Sequence, residues 1–340
     1  MILMNLTHEC TGLQLIERER ERQFRDALDT LDSNREMARQ VAGSIRRTGQ
    51  VLLLGMGASH HANLVATAAL RALGIEAFAM PLSEALYVPL PERPRTVLLT
   101  SQSGGSVEAE RYLHLGRQGE DYFGLTLNPD SLLACAVPCL VAAGGSEQGF
   151  AATRSYLLTL ALHSTIAKAL GDAQEDFRAV VKAAMSPDVT AAVDHLRLAR
   201  SFVFSARGGL QGVAEVGALG ILELAHVPAF ALEGGQLRHG PMEAVKADLG
   251  MIFLRDAAHR ELIDSLIRAC QEAGVVPVVL DVSGEAPQPG RITISAGRHQ
   301  GLAAAAALCE PLQKLLLAVA GQRVERVGEP VRSSKVTRTE

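Results

Sequence analysis

Leu98-Leu99-Thr100-Ser101-Gln102-Ser103-Gly104-Gly105-Ser106 decides how the chain is read. Val97 to Leu99 is an apolar run of the kind that forms a buried strand. The run ends in hydroxyls, an amide and two glycines, and a helical pattern begins at Val107. A strand that breaks into a Ser/Gly loop at a helix start is where an α/β protein can hold a phosphate. Loop and first-turn N–H groups point outward, the helix dipole favours an anion, and glycine lets the backbone approach closely. Ser101, Ser103 and Ser106 add hydroxyl donors, and Gln102 an amide. The plain alternative is an ordinary Ser/Gly turn between strand and helix, and the loop alone does not choose between the two.

Working outward, the same rhythm recurs. Upstream, Val51–Leu54 is a short apolar strand that runs into Gly55-Met56-Gly57-Ala58-Ser59 and a helix over Ala62–Leu73. Strands follow at Ile75–Met80, Thr96–Thr100 and Tyr122–Leu127, with helices at Ser106–Gln118 and Phe150–Leu170. After a polar helical connector, Asp172–Leu198, the cycle restarts. Ser201–Ser205 runs into Ala206-Arg207-Gly208-Gly209 and a helix over Gln211–His226. Further strands are expected at Ala229–Leu232, Gly250–Leu254, Val275–Leu280 and Ile292–Ser295, and helices at Arg260–Ala273 and Gly301–Val319. Apolar strands alternating with helices imply parallel sheets covered on both faces. The shared order implies a tandem repeat of one α/β domain. After Leu254, however, the chain reads Arg255-Asp256-Ala257, so one phosphate cradle is expected per chain. The expected divisions are a helical lead-in over 1–47, a first domain over 48–171, a second over 186–327 and a tail over 328–340. In the lead-in, the charge run Glu17–Arg22 reads as a solvated helix face.

Composition narrows the partners. The formal net charge is −4 and no long basic run occurs, which speaks against nucleic acid or an anionic membrane as the main partner. Trp is absent and aromatics make up 4%, so the core is aliphatic and a base-stacking surface is not expected. Cys135 and Cys139 have no second pair to complete a zinc site, and their apolar neighbours suggest buried free thiols. The odd cysteine count and the lack of a signal-like segment or an uncharged apolar span suggest a cytoplasmic protein.

Three features could carry chemistry. The first is the pair of loops Gly55–Ser59 and Ser101–Ser106, which can close one pocket at the sheet's switch point. Gly55-Met56-Gly57 lacks the third glycine of a dinucleotide fingerprint, and no acidic residue ends Ile75–Met80, so NAD is disfavoured. The second is Glu223, set among Ile221, Leu222, Leu224 and Ala225, followed by the Gly/Pro-bracketed His239. Apolar surroundings raise a carboxyl's pKa towards the range useful for proton shuttling. Glu223 can equally be a helix-surface residue, and His239 a backbone hydrogen-bonder. The third is Lys335, either a solvated tail amine or one that meets a sugar carbonyl.

Together these segments resemble tandem sugar isomerase (SIS) domains, most specifically the isomerase half of glucosamine-fructose-6-phosphate aminotransferase. The segments that carry it are Gly55–Ser59, Ser101–Ser106, Glu147-Gln148-Gly149-Phe150-Ala151-Ala152-Thr153-Arg154, Gln236-Leu237-Arg238-His239-Gly240-Pro241 and Ser334–Glu340. The resemblance implies a phosphate grip by Ser101, Gln102, Ser103, Gly104 and Ser106, and sugar contacts at Gly57, Ser59, Ala151 and Ala152. It implies Glu223 as the residue that moves a proton between C1 and C2. His239 would open the ring, reaching in from the second subunit of a homodimer, and Lys335 would meet the open-chain carbonyl. It calls for no metal or organic cofactor. Gly220 stands where the aminotransferases have a lysine, which would open room for a bulkier C2 substituent. With no glutaminase domain expected, the resemblance implies a deaminase acting on glucosamine 6-phosphate. The alternatives are a deglycase or simple isomerase of another phosphosugar, and a non-catalytic phosphosugar sensor.

Overall fold

The computed structural model describes residues 11–172 and 176–335. Two helices lead in, α1 (Gly12–Ser33) and α2 (Arg35–Thr48). A first set of elements follows: β1 (Gln50–Gly55), α3 (Gly57–Ala72), β2 (Glu76–Pro81), α4 (Leu82–Tyr87), β3 (Arg95–Thr100), α5 (Val107–His114), β4 (Glu120–Thr126), α6 (Leu132–Ala136), β5 (Cys139–Val141) and α7 (Arg154–Leu170). The connector holds α8 (Asp176–Ala183) and α9 (Thr190–Leu196). The second set is β6 (Ser201–Ser205), α10 (Leu210–Ala225), β7 (Ala229–Ala231), α11 (Gly234–Arg238), a 3-10 turn over Pro241–Ala244, β8 (Leu249–Arg255), α12 (Arg260–Glu272), β9 (Val278–Asp281), β10 (Ile292–Ser295) and α13 (Gly301–Gly321).

These strands form two five-stranded parallel sheets, β2-β1-β3-β4-β5 and β10-β9-β8-β6-β7. Counted within each half, the order is the same, so both sheets reverse direction between their first and third strands. The α/β fold with parallel sheets and flanking helices is as expected, with local differences. The strand β5 and the short helices α4, α6 and α11 were not expected, because runs of three to six residues carry too little periodicity to read. The helix α7 begins at Arg154 rather than Phe150, and β9 begins only after Pro277, which has no N–H for a strand ladder.

The main hydrophobic core is continuous across both halves. Leu53, Leu98, Leu157, Leu160, Val213 and Leu308 all belong to it and are buried. It fills the space between the sheets, where α3, α7, α10 and α13 pack. Separate clusters cover the outer faces: α4 and α5 over the first sheet, α11 and α12 over the second. One helix among the described residues, Gly301–Gly321, is long and apolar enough to cross a membrane, but 78% of its apolar window is buried inside the protein.

Two buried ion clusters organise charged residues, the first of them against the sequence expectation. Glu19, in the run read as solvated, is buried and binds the fully buried Arg154 guanidinium at 2.5 Å. Asp26 adds a second carboxylate to the same guanidinium at 3.2 Å. The face is polar because it clamps another polar group, which periodicity cannot distinguish from solvation. The second place is the end of β8, where Arg255 is buried and bound by Asp281 at 2.6 Å, Ser283 at 2.8 Å and Asp264 at 2.9 Å, with Glu285 closing the set. Cys135 is exposed and Cys139 only half-buried, against the expectation of two buried thiols. On the five-residue α6 it is Leu133 that points inward.

Candidate active site

The switch point of the first sheet places two loops side by side. Gly55 and Thr100 are register partners at the ends of β1 and β3, so Met56–Ser59 and Ser101–Ser106 leave the sheet next to each other. Ser59 is buried in the first turn of α3, and its N–H donates to Met56 O. Gly57 has φ +49° and faces α10, with Leu219 Cδ2 3.9 Å from where a Cβ would stand.

The Ser/Gly loop is held from below by β4 and α6. Ser101 N–H donates to Leu125 O at 3.0 Å, Leu127 N–H to Gln102 O at 2.9 Å, and Leu133 N–H to Gly104 O at 3.0 Å. Among the described residues, the N–H groups of Gln102, Ser103 and Ser106 have no partner within the chain. They are donors available to an anion at the start of α5. The Ser106 hydroxyl, by contrast, donates to Glu108 Oε2 at 2.5 Å, so it must turn to reach a ligand. Gly104 makes the turn at φ +65°, and a Cβ there would lie 2.1 Å from Ser131 Oγ. Gly104→Ala is therefore expected to cost about 1–3 kcal/mol of stability, from the clash and the left-handed backbone together. It should also raise the KM for a phosphorylated substrate. Thermal melts and steady-state kinetics check both.

A chain of hydrogen bonds runs from this loop to the tail. Ser155 Oγ donates to Glu147 Oε2 and lies 2.9 Å from the Gln102 side-chain amide, from which, its one proton being on the carboxylate, it accepts. Glu147 in turn receives the Lys335 ammonium at 2.8 Å. Glu147 is buried and also accepts from Thr153 N–H, Thr153 Oγ1–H and Ser155 N–H at 3.0–3.1 Å. Burial alone would raise its pKa. The Lys335 charge and hydrogen bond, with those from Ser155, override this and hold the carboxyl below the usual glutamate range. The loop carrying Glu147 is fixed by Arg154, which donates to Ala143 O and Gly145 O as well as to the α1 carboxylates. Glu147 lies within one of the segments that carry the resemblance, which gives it no role. The signal in the sequence was Thr153 and Ser155 a few residues on, donors sufficient to hold a buried carboxylate.

Glu223 stands on α10 at the wall of a cavity of about 30 Å³, which Ala151, Ala152, Gly220 and Leu316 also line. Its carboxyl is pushed up to about 7, chiefly by burial. The nearby Lys335 charge lowers it and that of Glu147 raises it further. One region thus gathers Glu223, Ala151, Ala152, Lys335 and, through Ser155, Gln102.

One expectation changes, that for Gly220. A Cβ on Gly220 would lie 2.6 Å from Leu316 Cδ1, so α13 packs directly on the glycine. The absent side chain leaves only the small cavity that Gly220 and Leu316 line, too little for a bulky substituent. His239 is exposed at the end of α11, with its N–H donated to Gln236 O. It does not line the Glu223 cavity, and its segment packs on the outer face of the second sheet. In the tail, 336–340 lie outside the described residues, as do 1–10, including Cys10.

No family model matches the chain. Among curated proteins it is 27% identical over 270 residues to glutamine–fructose-6-phosphate aminotransferase [isomerizing] of Sulfurisphaera tokodaii, covering 75% of this chain and 45% of that protein. The chain spans about half the length of the curated relatives it matches. Among solved structures, the C-terminal domain of glucosamine-fructose-6-phosphate aminotransferase from Francisella tularensis superposes with a TM-score of 0.79 at 18% identity, covering 96% of this chain and 99% of that one. Glucosamine-6-phosphate deaminase from Thermotoga maritima gives 0.71 at 21% identity, covering 92% and 99%. Tagatose-6-phosphate ketose/aldose isomerase from Escherichia coli gives 0.76 at 18%, covering 91% and 93%. The chain is homologous to the isomerase part of glutamine–fructose-6-phosphate aminotransferase and shares the fold of the sugar isomerase (SIS) phosphosugar isomerases.

Proposed function

We propose that the protein is an aldose–ketose isomerase of 6-phosphosugars, with glucosamine 6-phosphate deamination the reaction that fits best. The observation that carries this reading is Glu223, a carboxyl raised to about 7 by burial, at a small cavity beside the Lys335–Glu147 pair. A base of that pKa is half ionised near neutrality and can both take and return a proton. The phosphate docks on the free N–H groups of the Ser101–Ser106 loop. Ala151 and Ala152, with Gly57 and Ser59 across the cleft, border the sugar. In the open chain Glu223 removes the C2 proton and returns it at C1, which converts an amino-aldose to a ketimine. Water then releases ammonia and fructose 6-phosphate. Lys335 meets the open-chain carbonyl. The likeness to a protein named glucosamine-6-phosphate deaminase supports this reaction.

The deciding assay follows ammonia and fructose 6-phosphate from glucosamine 6-phosphate with the purified protein. Equal background rates for wild type and Glu223→Gln overturn the proposal. A panel of other phosphosugars tests simple isomerisation, the reading favoured by the likeness to a tagatose-6-phosphate isomerase. Turnover of a sugar–amino acid adduct would point to a deglycase, which the closed Gly220–Leu316 contact disfavours.

The exposed position of His239 supports its donation to a second copy of the chain, and hence a homodimer with a tandem SIS arrangement in each subunit. Mixing Glu223→Gln with His239→Ala chains should then restore about a quarter of wild-type activity, since half the dimers are mixed and each holds one intact site. If His239 acts within its own chain, no site in the mixed dimer is intact and activity stays at background.

A further inference from the structure

A second cleft lies far from the cavity at Glu223, between α2, α7 and α8, with a volume of about 780 Å³. That is within the range of pockets that enclose small ligands, roughly 300–1,000 Å³. Five cations converge on it from three helices: Arg35 and Arg39, Lys168, and Arg178 and Lys182. Among the described residues, two acids face them. Asp32 accepts from Arg178 at 2.7 Å and also from Arg35, and Glu36 accepts from Arg39 at 2.6 Å. Among the described residues, Lys168 and Lys182 have no carboxylate partner, and the Ser164 hydroxyl beside them makes no hydrogen bond. Such a concentration of positive charge is not a by-product of composition, since the whole chain carries −4. One wall is apolar, formed by Leu31 and Phe177.

We propose that this cleft binds a small metabolite carrying two or more phosphoryl groups. Two unpaired ammoniums and a hydroxyl supply charge-assisted donors, while the already paired arginines add field without leaving their carboxylates. A single phosphate would use only part of this donor set. The apolar wall accommodates a ring attached to the phosphates, so a nucleoside diphosphate matches the lining better than inorganic pyrophosphate. Thr153, at the start of α7, lines the Glu223 cavity, and Lys168 lies about 22 Å further along the same helix at 1.5 Å per residue. The two sites are therefore distinct. The inference does not depend on the proposed reaction, because binding is measured without a phosphosugar.

Calorimetric titration of the full chain with ADP and with inorganic pyrophosphate tests it. Saturable binding that weakens with added salt is expected for both, tighter for ADP. The Lys168→Gln/Lys182→Gln double variant should bind ADP at least about tenfold more weakly, with an unchanged melting temperature and unchanged phosphosugar turnover. Gly104→Ala should bind ADP as wild type does. No saturable binding of either probe overturns the proposal, as does a double variant that binds normally. So does loss of ADP binding in Gly104→Ala, which would show that the probe reports the Ser/Gly loop. Tighter binding of polyglutamate than of ADP also overturns it, in favour of an acidic protein segment.

Discussion

If the proposed reaction is the protein's own, replacing Glu223 with glutamine is expected to lower turnover by about 10²–10⁴-fold with little change in KM, because the amide keeps the shape but cannot take a proton. The wild-type rate rises with pH through about 7, where the Glu223 carboxyl becomes ionised, and the variant's residual rate lacks that limb. Stability moves the opposite way. Burial raises the native pKa above that of a solvated glutamate, so the native state holds its proton more tightly than the unfolded chain does. The stability this group contributes is complete below about pH 4.5, its unfolded value, and is lost as pH rises through about 7. Glu223→Gln is therefore expected to raise the melting temperature relative to wild type at pH 8 and to leave it nearly unchanged at pH 4.5. An inactive variant that is more stable at pH 8 separates loss of chemistry from loss of fold.

Glu147→Ala is expected to have the larger effect on the fold. Glu147 is buried and receives two backbone N–H groups, two hydroxyls and the Lys335 ammonium. Truncation leaves those donors facing a void and releases the tail. A destabilisation of about 3–5 kcal/mol is expected, together with loss of turnover. Because its native pKa is depressed, Glu147 contributes stability above its unfolded value, and that contribution disappears as pH falls through the native one. The gap between wild type and Glu147→Ala in denaturant melts should therefore be full at pH 7 and shrink in acid. Lys335→Met should abolish turnover while preserving more of the stability, since the four hydrogen bonds from Thr153 and Ser155 remain. Loss of stability without loss of activity in either variant would remove this pair from the reaction.

Much of the fold was legible because it rests on long-range regularities. Val51–Leu54 and Val97–Leu99 are purely apolar and end in glycine-bearing loops, and both are central strands. The Glu223 environment was legible in part: Ile221, Leu224 and Ala225 are buried as expected while Leu222 is exposed, and burial of the carboxyl raises its pKa. What stayed hidden depends on contacts between distant segments. Glu19 reads as one more charge in an exposed run until Arg154 is brought against it from 135 residues away. Glu147 and Lys335 are separated by 188 residues, and no local pattern announces their contact. Gly220 suggested more space than the small cavity it lines, because the sequence does not show that Leu316 packs against it. The position of His239 relative to Glu223 follows from which face of the second sheet each element covers, a matter of chain path alone.

The mooring of Lys335 to Glu147 bears on how a ligand is captured. Lys335, the residue proposed to meet the sugar carbonyl, is held by a carboxylate of the protein's own interior, Glu147. The conformational entropy of fixing that segment is thus lost when the protein folds and not when substrate docks, which favours affinity for a weakly held, small ligand. Capture should then follow a single kinetic phase whose rate scales with sugar concentration, without a slow step in which the terminal segment finds its place.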